Sequence, residues 1–271
     1  MRLRFSRGVI TIAIIVIVLA VGISVGLYYL LKKATPLAVP EAHCTVHTPD
    51  GVRDLVPEQA QISATIAAVA ARRKLPERAV VIAYATALQE SKLFNLDYGD
   101  RDSVGVFQQR QSQGWGPKKQ LMDPVYATTK FFAALAKVKN YRKIPLADAA
   151  QAVQRSAGGY AYAQHEADAK ILAAAFTGRV PQAVHCWYPP GKTPTPQPRT
   201  AEARKQLARA LGSTAITTKK RGWLVAAWSV AHAEKYALSH VGYAGATWSN
   251  DLEIEGWQAG GKSGSTQVEL S

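Results

Sequence analysis

The sequence predicts a mainly α protein of the α+β class, with a transmembrane helix, a helical domain carrying a small β-hairpin, and a small α+β unit after it. Three observations carry this. Val9 to Leu31 is an almost unbroken apolar run without a charge, and about 20 such residues cross a bilayer core. The middle of the chain repeats apolar residues at helical spacing, broken by one polar stretch rich in Asn, Asp and Gly. Residues 222–271 combine one helical run with short stretches of strand length.

The apolar run sets the topology. Arg2, Arg4 and Arg7 precede it and Lys32 and Lys33 follow, so the positive excess places residues 1–8 as a cytoplasmic tail. Tyr28 and Tyr29 stand near the outer end, where amphipathic rings prefer the interface. The run is longer than the apolar core of a signal peptide, and no small-x-small cleavage site follows directly. A single-pass cell-membrane protein is expected, anchored through 9–31, with its bulk extracytoplasmic.

Residues 32–43, with Pro36 and Pro40, read as a stalk. Pro57 to Lys74 is a helix with proline in its first turn and Ile62, Ile66 and Val69 on one face. Pro76 to Lys92 is a second, with Val80, Val81, Tyr84 and Leu88 together. Leu93 to Arg110 reads as a loop with a small hairpin. Asp123 and Pro124 open a third helix as cap and first helical residue, with Phe131, Phe132, Leu135 and Val138 as its core face. Leu146 to Ser156 and Tyr162 to Phe176 are two more, separated by Gly158 and Gly159. Residues 187–221 form a Pro-rich, basic linker. In 222–271, Trp223 to Tyr236 is helical, and Val241 to Tyr243, Thr247 to Ser249 and Gln267 to Leu270 are strands.

The chain is 48% hydrophobic, which excludes a wholly disordered protein. Its net charge of +14 favours a polyanionic partner. The excess is spread along the chain rather than gathered in a basic stripe with interleaved aromatics, so nucleic acid is not an expected partner. In an oxidising compartment Cys44 and Cys186, which bracket residues 44–186, form one bridge closing a long loop. The rivals are two buried free thiols, or a metal site drawn from His43, Cys44, His47, His185 and Cys186, whose spacing is not that of a zinc knuckle.

One acid stands out. Ala87-Leu88-Gln89-Glu90-Ser91 ends the second helix just before the polar loop. A carboxylate there faces the negative end of the helix dipole, and partial burial in that field favours its protonated form, as a general acid requires. The loop, Asn95 to Ser103, lacks the ordered ligand pattern of a calcium loop.

Glu90-Ser91-Lys92-Leu93, Tyr98-Gly99-Asp100-Arg101 and Gly105-Val106-Phe107-Gln108 together resemble motifs of the lysozyme-like superfamily, in its soluble lytic transglycosylase and goose-type lysozyme branch. Phe107-Gln108-Gln109-Arg110, Gly114-Trp115-Gly116, Asp123-Pro124-Val125-Tyr126-Ala127 and Ala152-Val153-Gln154-Arg155-Ser156 extend the similarity to membrane-anchored actinobacterial proteins with a lysozyme-like domain. The resemblance covers about Cys44 to Cys186 and implies a lysozyme-like domain there. The tyrosine of an Ala-Tyr-Asn-Ala-Gly motif has no counterpart at 152–156, where Gln154 takes the amide role. Arg110 stands where goose-type enzymes have a second aspartate, leaving Asp100 as the matched second acid. Residues 222–271 are weakly similar to the end of zinc D-alanyl-D-alanine carboxypeptidase-like domains. Gln267, Val268 and Glu269 replace the His-x-His there, so zinc chemistry does not carry over.

The resemblance implies cleavage of peptidoglycan glycan strands, by a lytic transglycosylase or a muramidase. Glu90 and Asp100 are the expected catalytic residues, and Ser91, Tyr98, Gln108, Gln154, Tyr126 and Trp115 the expected substrate-binding ones. No metal and no cofactor is implied. Peptidoglycan is the expected partner, with anionic wall polymers as a second. The alternative is a non-catalytic, membrane-tethered wall-binding scaffold that keeps the cleft.

Overall fold

The apolar run near the N-terminus forms α1 (Arg7–Lys33) in the computed structural model, which describes residues 7–33, 41–155, 159–189, 196–254, 256–261 and 264–271. Within α1, Thr11–Lys32 is a 22-residue stretch of mean hydropathy 2.6, long and apolar enough to cross a membrane. Its Ser24 hydroxyl donates back to the Ala20 carbonyl at 2.8 Å, so the polar group is satisfied within the helix. Most of the expected tail (1–6), the stalk residues 34–40, the break at 156–158 and linker residues 190–195 lie outside the described residues. The chain forms two units, Met1–Pro40 and Glu41–Ser271.

The second unit is helix-rich, and among the described residues its strands form three small sheets. The first was not expected. β1 (His43–Thr48) and β2 (Gly51–Leu55) make a hairpin, and β5 (Val184–Trp187) adds antiparallel on the other side of β1. Its sequence signal is short, only Cys44 and Val46 turning inward from β1, and its third strand comes from far along the chain. In this sheet Cys44 and Cys186 are directly opposed and disulfide-bonded, 142 residues apart in sequence. Their Cα atoms are 3.9 Å apart, closer than the 4.4–6.8 Å common for disulfides.

Two alanine-rich helices form the centre. α2 (Pro57–Arg72) buries Ala60 and everything from Ile62 to Ala70, and α3 (Glu77–Ser91) buries Ala79 to Ala87 without a break. A helix apolar on all sides belongs inside a fold, and small alanines let its neighbours approach closely. The Tyr84 hydroxyl, fully buried on α3, donates to the Ser63 carbonyl of α2 at 2.7 Å. α5 (Pro124–Leu135) starts as expected, with the Asp123 carboxylate accepting from the Val125 N–H at 3.0 Å. Phe131, Phe132 and Leu135 are buried, and Val138 lies at the core edge. α4 (Lys118–Leu121) is one short turn before it. α6 (Leu146–Gln154) ends short of Ser156. The helix expected from Tyr162 begins as a 3₁₀ segment, Gly159–His165, and becomes α7 (Glu166–Phe176) only afterwards.

The C-terminal third is not set apart. Thr200–Leu211, expected within a linker, is α8, and Arg72 of α2 donates to the Arg209 carbonyl at 2.8 Å while Arg209 pairs with Asp123. α9 (Lys219–Ala231) buries every residue from Gly222 onward, in one hydrophobic core with α2. It is followed by α10 (Ala233–Tyr236) and a sheet in the order β8-β7-β6-β9. These strands are β6 (His240–Tyr243), β7 (Ala246–Ser249), β8 (Gln258–Ala259) and β9 (Glu269–Leu270). Indole N–H groups tie this sheet to β5: Trp248 donates to the Cys186 carbonyl at 3.0 Å and Trp257 to that of Val184 at 2.9 Å. The Tyr188 hydroxyl donates to the Val230 carbonyl at 2.9 Å. The expected boundary at 187–221 therefore has 44–186 and 222–271 packed on one core. Indole rings spaced through a polar tail find their partners only in three dimensions.

His232, at the junction of α9 and α10, is buried and stacked on Trp228 with ring centroids 3.9 Å apart. Burial pulls its pKa down to about 3, against the hydrogen bond its Nδ1 makes with the Trp228 carbonyl at 2.8 Å. A folded value below the unfolded one means that the unfolded chain takes up the proton first. The contribution of the neutral ring is complete above the unfolded value near 6.5 and is lost as pH falls toward 3. Unfolding free energy in urea is expected to fall by up to about 3 kcal/mol between pH 7 and pH 4 through this one group. His232→Gln should flatten that part of the profile, and an unchanged slope in the variant would assign it to other groups.

Candidate functional site

Burial gives way at the last turn of α3: Gln89 is exposed, Glu90 half-buried and Ser91 buried. The helix stops on two successive left-handed residues, Lys92 (φ 54°) and Leu93 (φ 63°). Their N–H groups return to the Leu88 and Ala87 carbonyls, each at 3.1 Å, closing the helix end. Gln59 of α2 donates to the Lys92 carbonyl at 2.9 Å. Fully buried Leu93 plugs the turn into the core. The backbone under Glu90 is thus held by two helices. Its carboxylate is held as well: the hydroxyl of Tyr162, a buried residue of the 3₁₀ segment, donates to Glu90 Oε1 at 2.6 Å. That bond orients the carboxyl group from its Oε1 side.

The hairpin expected in the polar stretch is β3 (Ser103–Val104) against β4 (Gln109–Arg110). Ser91 fastens it to α3. Its buried hydroxyl donates to the Val106 carbonyl at 2.8 Å and also contacts the Ala87 carbonyl at 3.1 Å, so it positions the hairpin from within the core. Gly105 is the pivot. At φ 78°, a Cβ on it would stand 2.6 Å from the Leu121 carbonyl oxygen, while its N–H donates to the Leu96 carbonyl at 2.6 Å. Gly105→Ala is expected to destabilise the protein by about 1–3 kcal/mol in urea unfolding, because the strained backbone and the close oxygen act together. A variant as stable as the parent would mean that the turn has room to shift.

Asp102 clasps the hairpin. It accepts from the Ser112 N–H at 2.7 Å, the Ser112 hydroxyl at 2.8 Å and Arg110 Nε at 2.8 Å. The Ser112 backbone donor first, then the Arg110 guanidinium, hold its carboxyl well below the usual carboxylate range. Asp100 is placed differently. Its side chain is 88% exposed, with Arg101 at 3.9 Å as an ion-pair partner. Tyr98 is 67% exposed, and its carbonyl accepts from Gln108 Nε2 at 3.3 Å. Gln108, at φ 47°, lies over Gly99, where a Cβ would stand 1.8 Å from its Oε1.

Gln154, at the end of α6, donates from Nε2 to the Phe107 carbonyl at 2.7 Å. Phe107 in turn stacks on Phe131 of α5 at 4.4 Å. The turn 105–108 is therefore where Ser91, Gln108 and Gln154 come together beside the end of α3. Trp115 joins Gln154 in lining a cleft of about 760 Å³. Tyr126 turns its hydroxyl toward the Trp115 carbonyl at 3.4 Å, under the Lys130 ammonium 5.3 Å from its ring. A second cleft, of about 600 Å³, is lined by Tyr98, Gly99, Arg101 and Asp102. Both cysteine sulfurs are in the disulfide, and among the described residues no group of three His, Cys, Asp or Glu could hold a metal ion.

The sequence alone did not point to Tyr162 or Asp102 as site residues. Tyr162 is 72 residues from Glu90 in sequence, and no spacing rule links them. Asp102 carried a weaker signal, a carboxylate opening a strand whose antiparallel partner ends in Arg110. No protein-family model matches the chain. No curated protein matches it either.

Proposed function

We propose that this chain is a membrane-anchored, extracytoplasmic enzyme with a lysozyme-like domain that cleaves the glycan strands of peptidoglycan, with Glu90 as general acid. The observation that carries the reading is the oriented carboxyl of Glu90, hydrogen-bonded by buried Tyr162 at a helix end beside a hairpin pinned by Ser91 and Gln154. A half-buried acid oriented by its neighbours is the arrangement that proton transfer to a leaving oxygen needs. The apolar helix α1 supports the anchoring, and the disulfide supports an oxidising compartment.

In this mechanism Glu90 delivers its proton to the glycosidic oxygen between N-acetylmuramic acid and N-acetylglucosamine as the bond to the muramic C1 breaks. The muramic 6-hydroxyl then attacks C1 and gives its proton to the Glu90 carboxylate, leaving a 1,6-anhydro end. This route uses one carboxyl group twice. Attack by water instead needs a second carboxylate held near the sugar, and the exposure of Asp100 favours the first route. In this reading Gln108 and Gln154 meet the sugar amides, and Trp115 and Tyr98, which line separate clefts, meet the sugar rings. The test is digestion of purified peptidoglycan by the full chain, with mass analysis of the fragments. Anhydro-ended muropeptides, one water lighter than hydrolytic products, are expected. Hydrolytic products would move the reading to a muramidase, and binding without any fragment would make the chain a wall-binding scaffold.

A further inference from the structure

The cleft that Trp115 and Gln154 line is strongly cationic. Lys130 on α5, Lys137 and Lys139 in the segment after it, and Arg155 after α6 all stand on its wall, and no carboxylate does. A shallower depression, formed by residues 136–143, continues from the same Lys137 and Lys139 to Arg142 and Lys143. Among the described residues none of these six cations is ion-paired with a carboxylate. Helix C-termini favour cations, which accounts for one or two of them at the ends of α5 and α6. It does not account for a continuous track whose lining holds no acid. Elsewhere several arginines are ion-paired. Arg53 pairs with Asp168, Arg78 with Glu166 and Arg179 with Glu77.

We infer that this track is a binding site for a linear polyanion, a chain carrying phosphate or carboxylate groups along its length. Like-charged side chains gathered without carboxylate partners repel one another, and a polyanion laid along them removes that cost and releases its own counterions. The site is concave and about 760 Å³ in volume, which suits a single flexible chain rather than the flat face of a bilayer. Its floor carries Ala133, Ala134 and Val138 beside the Trp115 ring, so the backbone of the chain meets apolar surface while its charged groups reach the rim. Because the track shares Gln154 with the region around Glu90, a bound polyanion would hold the protein with that region close to the material to which the polymer is attached.

The full chain, in nanodiscs of neutral lipid, is titrated with fluorescently labelled inorganic polyphosphate, with polyglutamate as a second arm. Polyphosphate has no glycosidic bond, so the result is independent of whether the protein cleaves glycans. The Lys130→Gln, Lys137→Gln, Lys139→Gln triple variant is expected to weaken binding about tenfold, the size that three exposed charge contacts give together. A control that removes three exposed cations elsewhere, Lys119→Gln, Lys205→Gln and Lys219→Gln, is expected to weaken it less than about threefold, by lowering the net charge alone. Tighter binding in one arm identifies the anionic group as phosphate or carboxylate. Equal weakening by the two variants, or no binding in either arm, would overturn the site. So would binding only to vesicles of anionic lipid, or tighter binding of single-stranded DNA than of polyphosphate of equal charge. The thermal midpoint of each variant shows whether it is folded. A triple variant that unfolds is replaced by the single Lys137→Glu change on the exposed rim, which should weaken binding and make its loss with salt shallower, because one fewer counterion is released on binding, and which overturns the site if it leaves binding unchanged.

Discussion

Replacing Glu90 with Gln in the full chain is expected to reduce release of muropeptides from purified peptidoglycan by about 10²–10⁴-fold, the range that a general acid contributes. The substitution keeps the shape of the side chain and an oxygen that accepts from the Tyr162 hydroxyl, which lies 2.6 Å from Glu90 Oε1. It removes the acidic proton and the charge while keeping the size of the side chain. Stability should therefore stay within about 0.5 kcal/mol of the parent, as for a half-exposed polar exchange. Binding to intact peptidoglycan should persist. Tyr162→Phe separates orientation from chemistry: the acid remains but its Oε1 loses the hydroxyl, so the rate should fall by less than in Glu90→Gln. Release at the parent rate by the Glu90→Gln protein would remove Glu90 from the mechanism and with it the proposed function.

How much of this was readable beforehand follows from the range over which each interaction acts. α2, α3 and α5 were legible because their signals are local. Proline stands in the first turn of α2 and α5, Asp123 caps α5, and Ile62, Ile66 and Val69 recur at helical spacing and are buried. The hairpin was legible for the same reason, as Gly105 and the polar residues before it mark a turn between two short strands. The sheet of β1, β2 and β5 was not, since β5 joins β1 from the far end of the helical region with two buried residues of β1 to announce it. The continuity of the core into residues 222–271 was also hidden, because it depends on Trp248, Trp257 and Tyr188 reaching carbonyls on other elements.

The candidate site divides along the same line. Glu90 was visible as an acid at a helix end, and Gln108 and Gln154 as amides in short motifs. Ser91, read as a sugar contact, is a buried strut between α3 and the hairpin, a role that requires knowing where the Val106 carbonyl lies. Asp100 and Asp102 are two residues apart and chemically identical, yet one is nearly fully exposed while the other accepts from two groups of Ser112 and from Arg110. That difference comes from the hairpin register, which sets Ser103 opposite Arg110.

The disulfide is expected to contribute the largest single share of stability that one covalent change can remove. Cys44 and Cys186 are 142 residues apart, and a bridge over a loop of that size restricts the unfolded chain by about 5 kcal/mol on loop-entropy grounds, with measured bridges more often giving 2–4. Both residues are fully buried, on neighbouring strands whose backbones already pair Cys44 with Cys186 and Val46 with Val184. The native arrangement at this point is therefore set by the ladder, and by Trp248 donating to the Cys186 carbonyl, with the bridge acting chiefly on the unfolded state. Cys44→Ala with Cys186→Ala should leave the helical content unchanged and lower the urea-unfolding free energy by about 2–5 kcal/mol. Reductant should destabilise the parent and have no effect on the double variant. Because the loop closed by the bridge contains Glu90, the hairpin and Tyr162, their unfolding should shift with the whole. A double variant that unfolds at the parent's urea concentration would show that β1 and β5 stay associated in the unfolded chain, and that the bridge restricts nothing there.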